Sequence, residues 1–503
     1  MGSARATLLS LGLVLACCGP VESPRDVPSL DATLRDESTM APDTSDVAPT
    51  LFDAPDNTLR DANLSEITDS IARDVLAQDR ATPDASTTLS ATNPVLGEDH
   101  PDPQVVRTTD GAGRAVYYLQ ATVDSGDFAQ FESRDLLRWT RRAEGLFRRT
   151  TLRGNSLEIN GSHFCHLWAP EVAEVRAGVW MLSFTAVRFR TPQTPCPPYR
   201  EDSGVYLASA SAPTGPFALA SRPWEPLVAG GHATDCAAST RQQIPHALPY
   251  SAQDCQGGFC HHVIRLDSTA FRDPLTNRWW LGYSWYTNTP PQVVWEQTHY
   301  GEHVNLVELD RADPFAVRCA SDVAQIPVGD PHDADLTNAL RASCTRCGEM
   351  LSFTRGRDNA EYRREGYTFG VQEGVSLFRR GAMVYAMVSG SVWDSAYYHV
   401  WWAAASTPEG LASDNRGRIV GRFLIPNRGQ SFGHGSAVLG PDGRSWYFVH
   451  HRLQADRCRT TGRCARDVWV SPIAFEDRGD GRGDVWIRPR FPAEDPSVRV
   501  QVP

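Results

Sequence analysis

The sequence predicts an all-β fold built from five repeated units, which is the pattern of a five-bladed β-propeller. From residue 93 onward, short aromatic or β-branched runs alternate with turns rich in Gly, Pro and Asn, as in β-hairpins. The same event, a turn followed by a strand that opens on bulky residues, recurs five times. The runs are Tyr117–Leu119, Trp180–Leu182, Trp279–Leu281, Tyr385–Met387 and Trp446–Phe448. Five such hairpins indicate five blades around a central channel.

A polar residue precedes each aromatic run by about one hairpin length, where an inner strand would begin. These residues are Asp102, Glu171, Asp267, Glu373 and His434. Because the innermost strands of a propeller line one channel, equivalent positions on them lie close together. The repeat therefore predicts that carboxylates far apart in the chain become neighbours.

The chain starts with a predicted secretory signal over residues 1–18. Arg5 supplies a positive charge, the run from Leu8 to Ala16 is apolar, and Cys17 and Cys18 follow small residues. This segment is too short to span a membrane as a mature helix. The cysteine at the expected cut resembles a bacterial lipobox, so we expect lipidation of Cys17; the alternative is a plain signal peptide cleaved nearby.

Residues 19–92 form a predicted disordered, acidic linker. Asp, Ser, Thr, Pro and Ala dominate it, and such a composition buries too little apolar surface to fold. Residues 21–90 alone carry 15 acidic side chains against 5 arginines, so most of the formal net charge of -11 lies there. The remainder is nearly neutral and has no basic stripe, which argues against a nucleic-acid partner.

All 49 basic residues are arginines, which excludes chemistry through a lysine Schiff base. The remaining ten cysteines of an exported chain favour disulfides, and Cys458 with Cys464 is the pair predicted to close a small hairpin loop. A structural bridge is preferred over half a zinc site for Cys344 and Cys347, since no second pair lies at zinc-ribbon spacing. The stretches near 188–260 and 290–366 exceed a blade's needs and are interpreted as cysteine-bearing insertions in a domain spanning 93–503.

Pro101 and Pro103 flank Asp102 and hold it on a stiff, extended segment before an apolar run. Taken alone, such a segment is an ordinary acidic turn. Its place at the start of the first of five repeats favours a functional carboxylate instead.

The ordered motifs resemble those of glycoside hydrolase family 43, whose members are five-bladed β-propellers. They are Asn93–Leu96, His100–Pro103, Ser133–Trp139, Trp168–Val172, Gly204–Tyr206, Pro213–Phe217, Leu266–Phe271, Gln372–Gly374 and Gly433–Ser436. Each motif is weak alone, but together they cover residues 93 to 452 in the family's order. The resemblance implies an inverting mechanism with Asp102 as general base, Glu373 as general acid, and Asp267 orienting the acid and tuning its pKa.

The resemblance also implies roles for residues around these carboxylates. His434 matches a family histidine at the channel floor, which can contact substrate or bind calcium or an ordered water; no cofactor is required. Trp168 is a predicted sugar platform and Arg452 a predicted substrate contact. Glu171 is expected to have a structural role. Too few residues follow Arg452 for an appended sandwich domain.

The resulting hypothesis is an O-glycosyl hydrolase, exported or held at the bacterial cell envelope by its lipid anchor. Its expected partners are arabinose- or xylose-containing plant cell-wall polysaccharides or oligosaccharides, cleaved by exo action as an α-L-arabinofuranosidase or β-D-xylosidase. Two alternatives stay open: an endo-arabinanase, and a non-catalytic carbohydrate-binding surface lipoprotein on the same propeller.

Overall fold

A computed structural model describes the part of the chain to which every structural statement below refers. The described residues are 87–123, 126–149, 154–189, 191–197, 203–220, 262–288, 303–315, 351–352, 372–390, 393, 398–412, 419–422, 431–458, 464–476, 484–487 and 497–503. The predicted signal segment, Cys17 and residues 19–86 of the predicted linker lie outside them. No helix within these ranges is both long enough and apolar enough to cross a membrane.

The regular structure consists of strands, with one short helix among the described residues. The terminal pair is β1 Thr87–Thr92 with β23 Ser497–Val502. The first blade contains β2 Gln104–Thr109, β3 Ala115–Ala121, β4 Ala129–Ser133 and β5 Thr140–Arg141. The second contains β6 Leu157–Ile159, β7 Ser162–Arg176, β8 Val179–Phe189, β9 Gly204–Ala210 and β10 Ala218–Leu219.

The remaining three blades have four strands each. The third contains β11 His262–Asp273, β12 Arg278–Asn288, β13 His303–Glu308 and β14 Leu351–Ser352. The fourth contains β15 Gln372–Arg380, β16 Met383–Gly390, β17 His399–Ala405 and β18 Ile419–Arg422, with helix α1 Pro408–Ala412 between its last two strands. The fifth contains β19 Phe432–Leu439, β20 Trp446–Cys458, β21 Cys464–Glu476 and β22 Asp484–Ile487.

The five sheets follow one another around a closed ring. The inner strands β2, β7, β11, β15 and β19 each contact the next, and β19 contacts β2. Five hydrophobic clusters pack between the sheets, one at each junction. The predicted all-β class is therefore confirmed, and the arrangement of the described strands is that of a five-bladed propeller.

The predicted aromatic runs form the second strands β3, β8, β12, β16 and β20. Their bulky residues pack between neighbouring blades, so they are buried; Tyr117, Leu281 and Tyr385 have no exposed surface. Aromatic and β-branched side chains suit such strands because both sheet faces are covered.

A separate pair of strands packs at the junction of the fifth and first blades. β1 pairs antiparallel with β23 from Thr87 opposite Val502 to Thr92 opposite Ser497. Leu89 and Ala91 pack on the cluster between the fifth and first blades. Thr87–Thr92 thus forms a strand although these residues fall inside the predicted linker of residues 19–92. A short Thr-, Ser- and Ala-containing strand has no strong local signal, and its partner lies at the other end of the sequence.

The predicted insertions are smaller than expected. Within 188–260 the strands β9 and β10 complete the second blade, and within 290–366 the strands β13 and β14 complete the third. The rest of both ranges lies largely outside the described residues. Cys165 of β7 and Cys196 form a disulfide. Cys464 is also disulfide-bonded, and the backbone of Cys458 lies opposite it in the register of β20 and β21.

Polar side chains tie the inner strands to one another along the channel. Ser436 Oγ accepts a hydrogen bond from the Val105 amide at 2.8 Å, and Ser376 Oγ accepts one from the Ala437 amide at 3.0 Å. Glu171, half-buried on β7, hydrogen-bonds Thr269 of the next blade. Burial raises the pKa of Glu171 to about 8, partly opposed by that hydrogen bond. This contact supports the predicted structural role.

The pKa of Glu171 predicts a pH-dependent stability. The folded-state pKa of Glu171 is raised. The stability that the protonated side chain contributes is therefore present below the unfolded-state pKa of 4.5 and is lost as the pH rises toward 8. Glu171→Gln should therefore be more stable than wild type at pH 8.5, with an unfolding free energy higher by roughly 1–3 kcal/mol and a higher melting temperature. At pH 4.5 the gain should disappear.

Thermal unfolding of both proteins at the two pH values measures this effect. Glu158→Gln, at an exposed position on β6 of the same sheet, is the matched control and should show no pH-dependent gain. An equal change in melting temperature at both pH values would contradict the assignment.

Candidate active site

A residue with a left-handed backbone lies at a corresponding place in each blade, on the inner strand or, in the first blade, two residues before it. These residues are Asp102 (φ 55°), Ala169 (φ 44°), Asp267 (φ 53°), Gly374 (φ 57°) and His434 (φ 39°). In β7, β11, β15 and β19 an irregularity in the strand register accompanies it. A β-bulge redirects the side chain at the bulge, and left-handed non-glycine residues tend to cluster at functional sites. The left-handed backbone therefore sets the side-chain directions of three predicted site residues, Asp102, Asp267 and His434.

A side chain from the preceding blade holds the left-handed residue at four of the five junctions. The acceptor lies on a second strand or, for Thr122, just beyond its end, and the donor is the backbone N–H of the left-handed residue. The pairs are Thr122 Oγ1 with Ala169 (2.9 Å), Thr185 Oγ1 with Asp267 (2.9 Å), Ser389 Oγ with His434 (2.6 Å) and His451 Nδ1 with Asp102 (3.1 Å). At the remaining junction Ser284 of β12 lies in the equivalent register position, opposite Leu266.

The repeat places two of the predicted residues differently from expectation. Glu373 lies one residue before the left-handed Gly374, and Glu171 lies two residues after Ala169. A Cβ atom at Gly374 would approach His434 Cγ to 2.6 Å, so that position admits only glycine. The acidic side chain of the fourth blade therefore projects from the neighbouring residue.

Asp102 is held through both carboxylate oxygens. Its Oδ2 accepts a hydrogen bond from Thr122 Oγ1 at 2.8 Å, while Arg466 Nη1 lies 3.4 Å from Oδ1. Thr122 also binds the Ala169 amide, so one hydroxyl links the base position to the second blade. A charge-assisted contact and a hydroxyl donor both stabilise an ionised carboxylate.

His434 lies between the carboxylates. Its Nδ1 is 3.3 Å from Asp102 Oδ1 and 3.6 Å from Asp267 Oδ2. A Glu373 carboxylate oxygen, an Asp267 oxygen and a His434 ring nitrogen all lie within 4.8 Å of one another. Burial lowers the pKa of His434, opposed by the charge of Asp102, so the ring is neutral at pH 7. The structure brings the three predicted carboxylates together around this imidazole.

The rings of Tyr398 and His451 lie between Glu373 and the backbone N–H of Asp102. The Tyr398 hydroxyl donates to Glu373 Oε1 at 2.8 Å, and the Tyr398 ring stacks on His451 with centroids 5.6 Å apart. Burial lowers the pKa of His451 well below its usual value, with Arg466 nearby adding to the effect. The ring is therefore neutral, and its Nδ1 accepts the N–H of Asp102.

Thr122, Tyr398, His451 and Arg466 are site residues that sequence reasoning missed. The guanidinium of Arg466 also stacks on Trp393, 4.5 Å from the ring centroid. No local motif marks them, because they reach the site through strand register. The predicted Arg452 instead stacks on Trp469 at 4.5 Å, and burial lowers its pKa to about 10. Trp168 is half-buried beside Ala169, and its ring lies 6.0 Å from that of His166.

The donor atoms of Asp267, Glu373 and His434 raise the question of a metal. Calcium takes six to eight oxygen ligands, whereas this group offers two carboxylates and a nitrogen. A cation bound there would also keep Glu373 ionised, which conflicts with its predicted role as proton donor. Calcium or an ordered water beside His434 stays a prediction, and no step below uses a metal.

Part of this chain matches a known protein family. The model of the family "Glycosyl hydrolases family 43" matches residues 91–235. No curated protein gives a significant match. Among solved structures, a thermostable family-43 glycoside hydrolase is 18% identical, covering 78% of this chain and 95% of that one with a TM-score of 0.47.

Two further structures show similar values. The α-L-arabinofuranosidase from Lactobacillus brevis is 16% identical, with 78% and 95% coverage and a TM-score of 0.47. The α-L-arabinanase from Cellvibrio cellulosa is 14% identical, with 78% and 96% coverage and a TM-score of 0.43. The match of residues 91–235 to this family model confirms the predicted resemblance to glycosyl hydrolases family 43 and supports the prediction of a glycosidase.

Proposed function

We propose that this protein is an inverting glycoside hydrolase that removes arabinose or xylose units from plant polysaccharides or oligosaccharides. One observation carries the proposal: Asp102, Asp267 and Glu373, from three different blades, meet around the buried His434. Glycoside hydrolysis by inversion requires an ionised carboxylate to activate water and a protonated carboxyl to assist the leaving oxygen.

Asp102 acts as the general base. It takes a proton from the water that attacks the anomeric carbon, so it must be ionised and fixed in place. Arg466 and Thr122 contact its two oxygens, and the His451 ring accepts its amide hydrogen. These contacts, together with the flanking prolines, hold the carboxylate relative to the water.

Glu373 acts as the general acid and donates its proton to the glycosidic oxygen as the bond to the sugar breaks. Asp267 lies in the same group of donor atoms, and a like charge nearby disfavours ionisation of the acid. His434 Nδ1 lies 3.3 Å from Asp102 Oδ1 and 3.6 Å from Asp267 Oδ2, so the imidazole stands between these two carboxylates.

Conservative amide substitutions test these roles. Asp102→Asn and Glu373→Gln should each lower kcat by about 10²–10⁴-fold, because each removes one proton-transfer group while keeping the side-chain shape. Initial rates on phenyl α-L-arabinofuranoside and phenyl β-D-xyloside, whose leaving oxygen needs protonation, measure the loss.

Asp313→Asn and Glu158→Gln, both at exposed positions, are the matched controls and should keep wild-type rates. Near-wild-type turnover by either active-site variant, with unchanged thermal unfolding, would refute the assigned role.

The stereochemical course tests the inverting mechanism. Proton NMR of the product formed in the first minutes should show the sugar with inverted anomeric configuration, since water attacks directly from the face opposite the leaving group. Retention would exclude Asp102 as a general base in a single displacement.

Exo action is the preferred mode, and the product size from linear arabinan tests it. Release of monosaccharide alone supports exo action, whereas a ladder of short oligosaccharides would establish an endo-arabinanase. Binding of oligosaccharides without hydrolysis of any would identify a non-catalytic binding protein.

We also propose that the chain is exported and lipid-anchored at Cys17. The support is the charged start, the short apolar run and the cysteine at the expected cut. In a bacterial host, labelling with an alkyne fatty acid should tag the wild-type protein but not Cys17→Ser. Equal labelling of both would exclude Cys17 as the acceptor.

A further inference from the structure

Tyr398 and Ser389 form a buried chain of polar contacts that ends at Glu373. The side chains are almost fully enclosed, with relative exposures of 0% and 1%. Ser389 Oγ accepts the backbone N–H of His434 at 2.6 Å. Ser389 also hydrogen-bonds the Tyr398 hydroxyl, and Tyr398 donates to Glu373 Oε1 at 2.8 Å.

The backbone N–H of His434 fixes the direction of these hydrogen bonds. A backbone N–H can only donate, so Ser389 accepts at that contact and has a single hydrogen left to give. That hydrogen points to the Tyr398 oxygen. Tyr398 in turn has one hydrogen, which goes to Glu373 Oε1. Burial and the Glu373 charge raise the pKa of Tyr398 well above its usual value, so the phenol keeps this hydrogen.

We propose that Tyr398 is a positioning residue that selects which oxygen of Glu373 carries the catalytic proton. Because Oε1 is held as an acceptor, the proton of the neutral acid resides on Oε2. Without Tyr398 the proton could reside on either oxygen, and only one placement delivers it to the leaving group. This inference rests on the proposed role of Glu373 as general acid.

The packing around Tyr398 allows its hydroxyl to be removed while the ring contacts are kept. Its ring stacks on His451, and a Cβ at Gly433 would approach Tyr398 Cε1 to 2.4 Å, so a glycine makes room for the ring. Tyr398→Phe preserves the ring and both packing contacts while removing only the hydroxyl.

The test compares two leaving groups. A 4-nitrophenyl glycoside needs little help from the acid, whereas the unsubstituted phenyl glycoside needs full protonation of its oxygen. The sugar is α-L-arabinofuranose or β-D-xylose, whichever the wild type hydrolyses. Tyr398→Phe should lower kcat on the phenyl glycoside by about 10–100-fold but on the nitrophenyl glycoside by less than about 3-fold. A larger loss on the poorer leaving group is expected when acid catalysis is impaired.

Tyr117→Phe is the matched control, since Tyr117 is also fully buried and donates to a backbone carbonyl, that of Leu439. It should leave the ratio of the two rates unchanged. An equal loss on both substrates in Tyr398→Phe, or no loss on either, would overturn the proposal.

Ser389→Ala is the second variant, needed if Tyr398→Phe does not fold. It removes the hydroxyl that orients Tyr398 and should also lower the phenyl rate more than the nitrophenyl rate; an unchanged ratio would overturn the proposal. Failure of the proposed function looks different, because the wild-type protein would then hydrolyse neither glycoside.

Discussion

The structure depends on a hydrogen bond that crosses from one blade to the next. At four junctions a side chain on or just after a second strand accepts the N–H of a left-handed residue in the following blade. A buried amide without a partner is costly, so this contact secures a backbone conformation that non-glycine residues otherwise avoid. At three of these junctions one blade therefore sets the direction of a functional side chain on its neighbour: Asp102, Asp267 or His434.

The same constraint explains why the site uses two aspartates and one glutamate. Asp102 and Asp267 occupy left-handed positions, where a short side chain on a fixed backbone is held closely. In the fourth blade that position must be glycine because His434 lies against it. The acid is displaced by one residue, and a longer, more flexible glutamate requires an additional support, which Tyr398 provides.

Local patterns in the sequence predicted the parts of the fold that recur. The aromatic runs identified the second strands, and Asp102, Asp267 and His434 were found at equivalent positions because the repeat spacing marks them. Glu171 was aligned with these residues, although Ala169 occupies the equivalent position, because a two-residue offset at a bulge is invisible in spacing alone. Thr122, Tyr398 and Arg466 could not be found, since their roles arise from contacts between strands of different blades or from long-range register. The strand Thr87–Thr92 was missed for the same reason.

The pairing of β1 with β23 has a consequence for the order in which the molecule forms. Thr88 and Gln501, which share a hydrogen bond across this pair, are 413 residues apart in sequence. Synthesis proceeds from the amino terminus, so the first strand exists long before its partner. Hairpins within a blade join neighbouring segments and can form early, whereas the pairing of β1 must await Ser497–Val502. Until then Leu89 and Ala91, which pack at the junction of the fifth and first blades, lack part of their cover.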